Sequence, residues 1–403
     1  MAADPATLSA IADILQNDYL PGIRNQFSYK RVLENILETR KEEVAGLQAV
    51  MAIRISGNPG IGFRGDNAQL PDAGRQQFKQ VTLPMRYLYG RCQFSGPAIA
   101  ASRSNATAFA KVMEDEMESL TKDIRKFANI SNFGDGSGAL ARIASSAGPN
   151  TFVVDRWHPL FTVGRVLDSF TDKTCVTQKM DSKTITAVDK ANLTLTVPGH
   201  GASVGDYVFV EDTALVAQMG LMGIFDDGTL VPTLQGLNRN TYPIWKAKVM
   251  GNNGTGRNIS EALILDAVSL LEEQEEEPDF ILGTVFQRND LIKELSQDRQ
   301  FVNTNEKLMK LRGGIRAVEI CDKPFIWDSD CPPGYAFIGN TKKLAFYQHS
   351  DLAWMDKDGA VLSRVSGKDA YEATLYLYRE LGCEQCNAML RLDDLNENRP
   401  TGY

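Results

Sequence analysis

The strongest constraint on this chain is an apolar pattern that runs from Phe109 to Phe127. Phe109, Val112, Met113, Met117, Leu120, Ile124 and Phe127 recur largely at intervals of three and four, and Lys111, Glu114, Asp115, Glu118, Lys122 and Asp123 fill the opposite face. This is the period of an amphipathic α-helix. Ser104 or Asn105 can cap its start, and Gly134-Asp135-Gly136-Ser137-Gly138 stops it soon after Phe133. A helix of about 25 residues would be about 38 Å long at about 1.5 Å per residue, which is long for a globular domain. The pattern predicts a rod along which other elements are arranged.

The residues before the rod offer little core of their own. Pro5 to Leu15 reads as a short helix with Leu8, Ile11 and Leu15 on one stripe and Asp4 as N-cap, broken at Pro21. A second helical pattern spans Val32 to Glu43, and together the two predict an arm that packs on something else. From about Met51 to Phe94 no helical period is present. Its middle, Gly57 to Arg75, is rich in Gly, Asn, Asp, Pro and Gln, while Met51–Ile55 and Val81–Tyr89 alternate as strands do. Two strands with a long polar tip describe an extended hairpin that projects toward a neighbour, because a loop this long is out of place inside a compact domain.

Beyond the rod the pattern turns to β from Thr151 to Leu215, with alternation at Thr184–Val188, Leu193–Val197 and Tyr207–Val210, as in a small barrel or sandwich. Tyr242–Met250 reads as a strand, Ser260 caps a helix through Leu271, Phe280–Gly283 reads as a strand and Arg288–Leu295 as a second helix. Strands and turns such as Asp358-Gly359 fill the remainder, including Ala373–Tyr378. Helix, strand, helix and then strands make an α+β protein.

Motifs that carry chemistry fail in their context. Gly60-Ile61-Gly62-Phe63-Arg64-Gly65 satisfies the dinucleotide fingerprint, yet Asp66 to Pro71 follows where a helix must open toward the pyrophosphate. Gly251 to Asn258 has the glycine spacing of a phosphate loop, but Arg257 and Asn258 stand where Lys and Ser/Thr are required. Cys383-Glu384-Gln385-Cys386 lies in a strand-like region rather than at a helix start. Cys321 and Cys331 are poorly spaced to complete a zinc set, so buried or half-buried free thiols are expected. His158, His200 and His349 have no partner at helix spacing. No catalytic, metal or cofactor site is predicted. Asp226-Asp227-Gly228 reads as a turn, and the run Glu272, Glu273, Glu275, Glu276 and Glu277 as a solvated helix end. That run is the only conspicuous one of single sign, and the net charge is -8. Both argue against a dedicated nucleic-acid grip, which needs a basic face. Met1 to Ile11 lacks a secretion signal, and no apolar run approaches the roughly 20 residues of a membrane span. A soluble intracellular product with reduced thiols is expected.

The order of features resembles that of tailed-bacteriophage major capsid proteins. The residues that carry the likeness are Arg86–Arg91, Phe94–Ile99, the long helix and Phe133–Gly138, then Gly236–Arg239 with Tyr242–Lys246, Pro278–Ile281, Gly313–Ile315 and Pro324–Asp328. The resemblance implies an α+β phage major capsid fold. Its parts would be an N-terminal arm (1–50), an extended loop (51–96), a peripheral domain with its spine helix (97–150), a β-rich insertion (151–215), peripheral strands (216–258), an axial domain (259–345) and C-terminal strands returning to both domains (346–403). Gly60, Ile61, Gly62, Phe63, Arg64, Gln69, Leu70 and Pro71 would form the loop tip that touches the next subunit. Phe109, Met113, Met117, Leu120, Ile124 and Phe127 would form the core side of the spine.

The resemblance also implies the partners: copies of the chain in hexamers and pentamers, a separate scaffolding protein (or else a chain already processed to remove its scaffolding segment), a portal, a decoration protein, and packaged double-stranded DNA held without sequence reading. The protein would assemble in the host cytoplasm and reside in the virion. Lys79 lies on the hairpin, but no motif identifies a partner for the Lys–Asn cross-link that some members make, and none is expected. The alternatives are an encapsulin-type compartment shell and, in a different class, a nucleotide-dependent enzyme using the Gly60 or Gly251 loop. A tail component is disfavoured by the spine helix that follows the hairpin.

Overall fold

The computed structural model describes residues 32–41, 44–46, 48–97, 106–298, 309–310, 316–356 and 361–398. The first predicted helix, Pro5–Leu15, lies outside the described residues. The second differs from expectation: among its described residues only Val32–Ile36 is helical, and Glu38–Arg40 forms a strand. That strand pairs parallel with residues 345–347, so sheet hydrogen bonding at an available edge overrides a helical pattern that propensity alone favours weakly.

Strands β1 (Gln48–Ser56) and β2 (Gln77–Pro84) pair antiparallel, Met51 opposite Val81, and make the predicted hairpin. The second flank divides at Met85, however. Strand β3 (Arg86–Ser95) belongs to a different sheet, so the paired arms of the hairpin end at Pro84. Helix α1 (Ala106–Ser131) is 26 residues long, about 39 Å at the standard rise.

The β-rich unit begins earlier than the sequence pattern suggested, at β4 (Ala139–Gly148), and continues through β5 (Thr151–Val154), β6 (Val166–Phe170), β7 (Gln178–Thr184), β8 (Ala187–Asp189), β9 (Thr194–Thr196) and β10 (Tyr207–Val210). The sheet order is β8-β9-β5-β4-β10-β6-β7. Strands β7 and β8 are two halves of one bent strand. At the bend Ile185 N–H donates to Arg165 and Thr186 N–H donates to Thr196, both at 2.9 Å. The first bond faces one end of the sheet and the second faces the other, so the sheet closes into a small barrel. Phe152, Leu167, Ile185, Leu195, Val197 and Val208 fill it.

The next unit comprises β11 (Lys248–Met250), α2 (Glu261–Glu272), β12 (Phe280–Gly283), α3 (Val285–Asp298), β13 (Arg316–Ile320), β14 (Lys323–Trp327) and β15 (Ala336–Gly339). The chain then runs through β16 (Leu344–Trp354), β17 (Ala370–Cys383) and β18 (Leu390–Leu392). Tyr242–Met250 is not one strand: Pro243–Trp245 forms a 3-10 turn, as proline at its first position favours, and only Lys248–Met250 pairs. The mixed sheet runs β11-β18-β15-β12-β14-β13, and Met309–Lys310 lies at the far edge. Ser260 Oγ accepts the Leu263 N–H at 3.1 Å and starts α2. The period of two along β12 sends Ile281 toward Ile264, Val268 and Leu271 of α2, and sends Phe280 and Leu282 into the main core with Phe225, Ile326 and Phe337.

Strand β17 holds the molecule together. It pairs with β16 on one side and with β3 on the other, register Arg379↔Arg86 through Ala370↔Ser95. Helix α1 lies across this third sheet, which brings the two halves of the sequence into one body.

Candidate assembly surfaces

The hairpin tip is a closed loop on a narrow neck. A β-carbon on Gly60 would lie 2.6 Å from both the Asp72 carbonyl oxygen and the Gly74 nitrogen, and one on Gly74 would lie 2.7 Å from the Gly60 nitrogen. Two facing glycines are what permit this approach. Asn58 Oδ1 accepts the Gly60 N–H at 2.8 Å, and Arg64 Nε donates to the Gln69 carbonyl at 3.1 Å, which fastens the loop on itself. Gly60 therefore belongs to the neck, while Ile61, Gly62, Phe63, Arg64, Gln69 and Leu70 are exposed and Pro71 is half-buried. Ile61 is 84% exposed, Phe63 104% and Leu70 79%. Three large apolar side chains clustered in sequence and open to water mark a surface that can gain by being covered.

A second such surface lies on the β3–β17 sheet. Tyr87 and Tyr89 on β3 stand beside Tyr376 and Tyr378 on β17. The Tyr87 and Tyr378 rings meet edge to face at 4.9 Å, and the Tyr89 and Tyr378 hydroxyls are 3.1 Å apart. Arg91 and Glu372 pair on the same strands. This tyrosine face was not foreseen. Its only signal is that Arg86–Arg91 and Ala373–Tyr378 alternate with tyrosines in step, and their pairing spans nearly three hundred positions.

The spine residues divide among several cores. The side chains of Phe109 and Met113 lie outside the described residues. Met117 and Leu120 pack with Cys92, Phe94 and Ala373 of the β3–β17 sheet, and Ile124 is buried against Gly90. Phe127 turns instead to the barrel core with Ile130, and Phe133 enters the main core. Around the lower end of α1, buried polar groups replace apolar ones. Arg379 donates to Gln218 (3.0 Å), Glu34 (2.6 Å), the Ala128 carbonyl (3.1 Å) and Asn132 (3.1 Å).

Glu380 lies beside this network, accepting from the Met219 and Leu381 N–H groups and pairing with Arg86 at 3.3 Å. Burial lifts its carboxyl to about 8, outweighing those three partners, which favour the charged form. Arg239 is completely buried, donating to the carbonyls of Gly223 (2.8 Å), Ile224 (2.7 Å) and Trp245 (3.2 Å), with Asp226 at 3.6 Å. Asp226 does form a turn, accepting from Gly228, Leu230 and Val231, but it also serves as the counter-ion of this arginine. These buried charges were missed by sequence reasoning, since a lone Arg in a loop normally reads as surface.

The nucleotide-like loops are occupied by their own chain. In the Gly251 loop, the Asn252 and Gly254 N–H groups, which would cradle a phosphate, donate to the Asp394 carboxylate at 2.7 and 3.0 Å. The Gly60 loop opens no helix. Cys383 and Cys386 are both buried in the main core, and among the described residues no cluster of three His, Cys, Asp or Glu stands at metal-binding distance. Lys79 extends its ammonium over the Tyr242 ring at 5.7 Å, a contact within the same chain. Among the described residues no helix is long and apolar enough to cross a membrane.

No family model and no curated protein matches the sequence. Solved structures do match the fold. The capsid asymmetric unit of cyanophage A-1(L) aligns with 96% of this chain and 99% of its own, at a TM-score of 0.61 and 14% identity. The capsid of Myoviridae phage XM1 aligns over 95% and 97%, at a TM-score of 0.50 and 8% identity. The SrpI encapsulin of Synechococcus elongatus PCC 7942 aligns over 100% and 99%, at 0.49 and 10%. With hairpin, long helix, mixed sheet and returning C-terminal strand all in place, the chain has the α+β fold of phage capsid proteins.

Proposed function

We propose that this chain is a major capsid protein whose copies form hexamers and pentamers of an icosahedral shell around double-stranded DNA, and that it catalyses no reaction. The observation that carries the reading is the near-complete alignment with a cyanophage capsid subunit at a TM-score of 0.61, joined to a projecting tip that buries none of its large apolar side chains within its own chain.

In this reading the hairpin is the extended loop laid over the neighbouring subunit. Helix α1 with the β3–β17 sheet is the peripheral domain, the mixed sheet with α2 and α3 is the axial domain, and the barrel is the insertion. The tip and its receiving surface would be different patches on each copy, so the contact is heterologous and closes only when the rotation does. Many moderate contacts of this kind correct errors early and become stable together on closure. A net charge of -8 suits a wall that encloses DNA without gripping it. A separate scaffolding protein, a portal and a decoration protein complete the proposed partners.

Electron microscopy of the expressed chain, alone and with its neighbouring genes, tests this. Closed icosahedral particles that take up DNA are expected. Particles that enclose an enzyme in place of DNA would transfer the reading to an encapsulin. A chain that stays monomeric with every companion factor would end it.

A further inference from the structure

The foot of α1 meets the mixed sheet through a buried polar cluster. Asp328 and Asp330 follow β14 and are 1% and 6% exposed, and Asn129 on α1 is fully buried between them. Asn129 Nδ2 donates to Asp330 Oδ2 at 2.7 Å and lies 3.3 Å from both oxygens of Asp328. Lys126, one turn earlier on α1, places its ammonium 2.5 Å from Asp330 Oδ1. The Asp330 N–H donates to Asp328 Oδ1 at 2.8 Å, and the Asp328 N–H is held by the Gly283 carbonyl at 3.1 Å.

Two carboxylates face one ammonium, which leaves a surplus negative charge on two buried aspartates. The oxygens also outnumber the donors, and Asn129 Oδ1 is buried without a hydrogen bond. The Cys331 thiol is in the same loop, and Asp328, Asp330 and Glu397 all act to hold its proton on. A single proton on Asp328 would supply the missing donor and remove the surplus charge.

We propose that Asn129, Lys126, Asp328 and Asp330 form a proton-operated latch between α1 and the mixed sheet, tightened when the Asp328 carboxyl takes up a proton and slackened when it loses one.

Burial and the neighbouring Asp330 raise Asp328 to about 6, against the donors that lower it. A carboxyl raised in the folded state contributes stability that is fully present below the unfolded value near 4 and is lost as pH rises through about 6. The latch therefore tightens in mild acid, the reverse of the usual carboxylate that acid weakens.

Hydrogen exchange of the full chain at pH 5 and pH 7.5, corrected for intrinsic rates, reads the junction directly. Amides of residues 126–132 and 328–331 are expected to be several-fold better protected at the lower pH, and Asp328→Asn, which is uncharged at both, should abolish most of the difference. Equal protection at both values in the wild type, or an undiminished difference in Asp328→Asn, would overturn the latch. Should Asp328→Asn fail to fold, Lys126→Met gives a second reading. Removing the one ammonium should move the transition to higher pH, and an unmoved transition would equally overturn it.

Discussion

Gly90 and Ile124 fit together with no room between them. A β-carbon on the glycine of β3 would run into Cδ1 of the isoleucine on α1 and lie 2.9 Å from its Cγ1 and 3.2 Å from Leu120 Cδ1. The long helix can rest on the sheet only because this strand position has no side chain. Gly90→Ala is expected to lower stability by about 1–3 kcal/mol through overpacking, and Ile124→Val should return part of the loss. Chemical denaturation of the two single variants and the double variant checks this. Additive losses would show that the two sites do not share the strain.

The hairpin tip should separate folding from assembly. Phe63→Ser with Leu70→Ser removes apolar surface that the single chain leaves in water, so the unfolding free energy should change by no more than about 0.5 kcal/mol. Shell yield should fall sharply. Calorimetry of the unassembled subunit and particle counting by microscopy measure the two effects, and a tip variant that assembles normally would remove the tip from the proposed interface.

The barrel should be separable. Its entry and exit strands leave the body side by side, with the Leu215 N–H donating to the Ser137 carbonyl at 2.8 Å. Replacing residues 139–214 by a short Gly-Ser linker should leave the rest folded. Phe127 and Ile130 on α1 would lose their cover, so a cost of roughly 2–5 kcal/mol is expected rather than unfolding. Circular dichroism and cooperative melting of the excised chain decide it, and a remainder without a cooperative transition would show that the barrel is needed for the fold.

Glu380 predicts a pH dependence on the alkaline side. Its carboxyl is raised to about 8 from an ordinary value of 4.5, chiefly by burial. The folded state thus holds a proton that the unfolded chain releases. That stability is complete below about 4.5 and declines as pH rises, until it is lost above about 8. Glu380→Gln keeps the size and removes the charge, so its melting temperature should fall less than that of the wild type between pH 6 and pH 9. Parallel melting curves across that range would show Glu380 to be ionised throughout.

Much of this architecture was legible because it is written in local periods. The spacing from Phe109 to Phe127 gave the helix, the alternation either side of Gly57–Arg75 gave the hairpin, and Ser260 marked the start of α2. Local patterns also misled. Val32–Glu43 has a helical period, but Glu38–Arg40 is taken by the edge of β16. Val81–Tyr89 alternates without interruption, yet Met85 divides it between two sheets.

The sequence by itself determined which segments are rods, strands and exposed tips, since side-chain period and turn chemistry act over a few residues. It also excluded the nucleotide loops, because the helix or hydroxyl that each requires is missing. Only the tertiary structure decided what each segment meets. It brought Arg86–Ser95 against Ala370–Arg379, nearly three hundred positions away, and closed β7 and β8 into a barrel. It set Asp394 in the place of a phosphate and buried Arg239, Arg379 and Asp328 where charge had to find partners. Those outcomes depend on which surfaces exclude water together, and that is a property of the assembled core rather than of any stretch of chain.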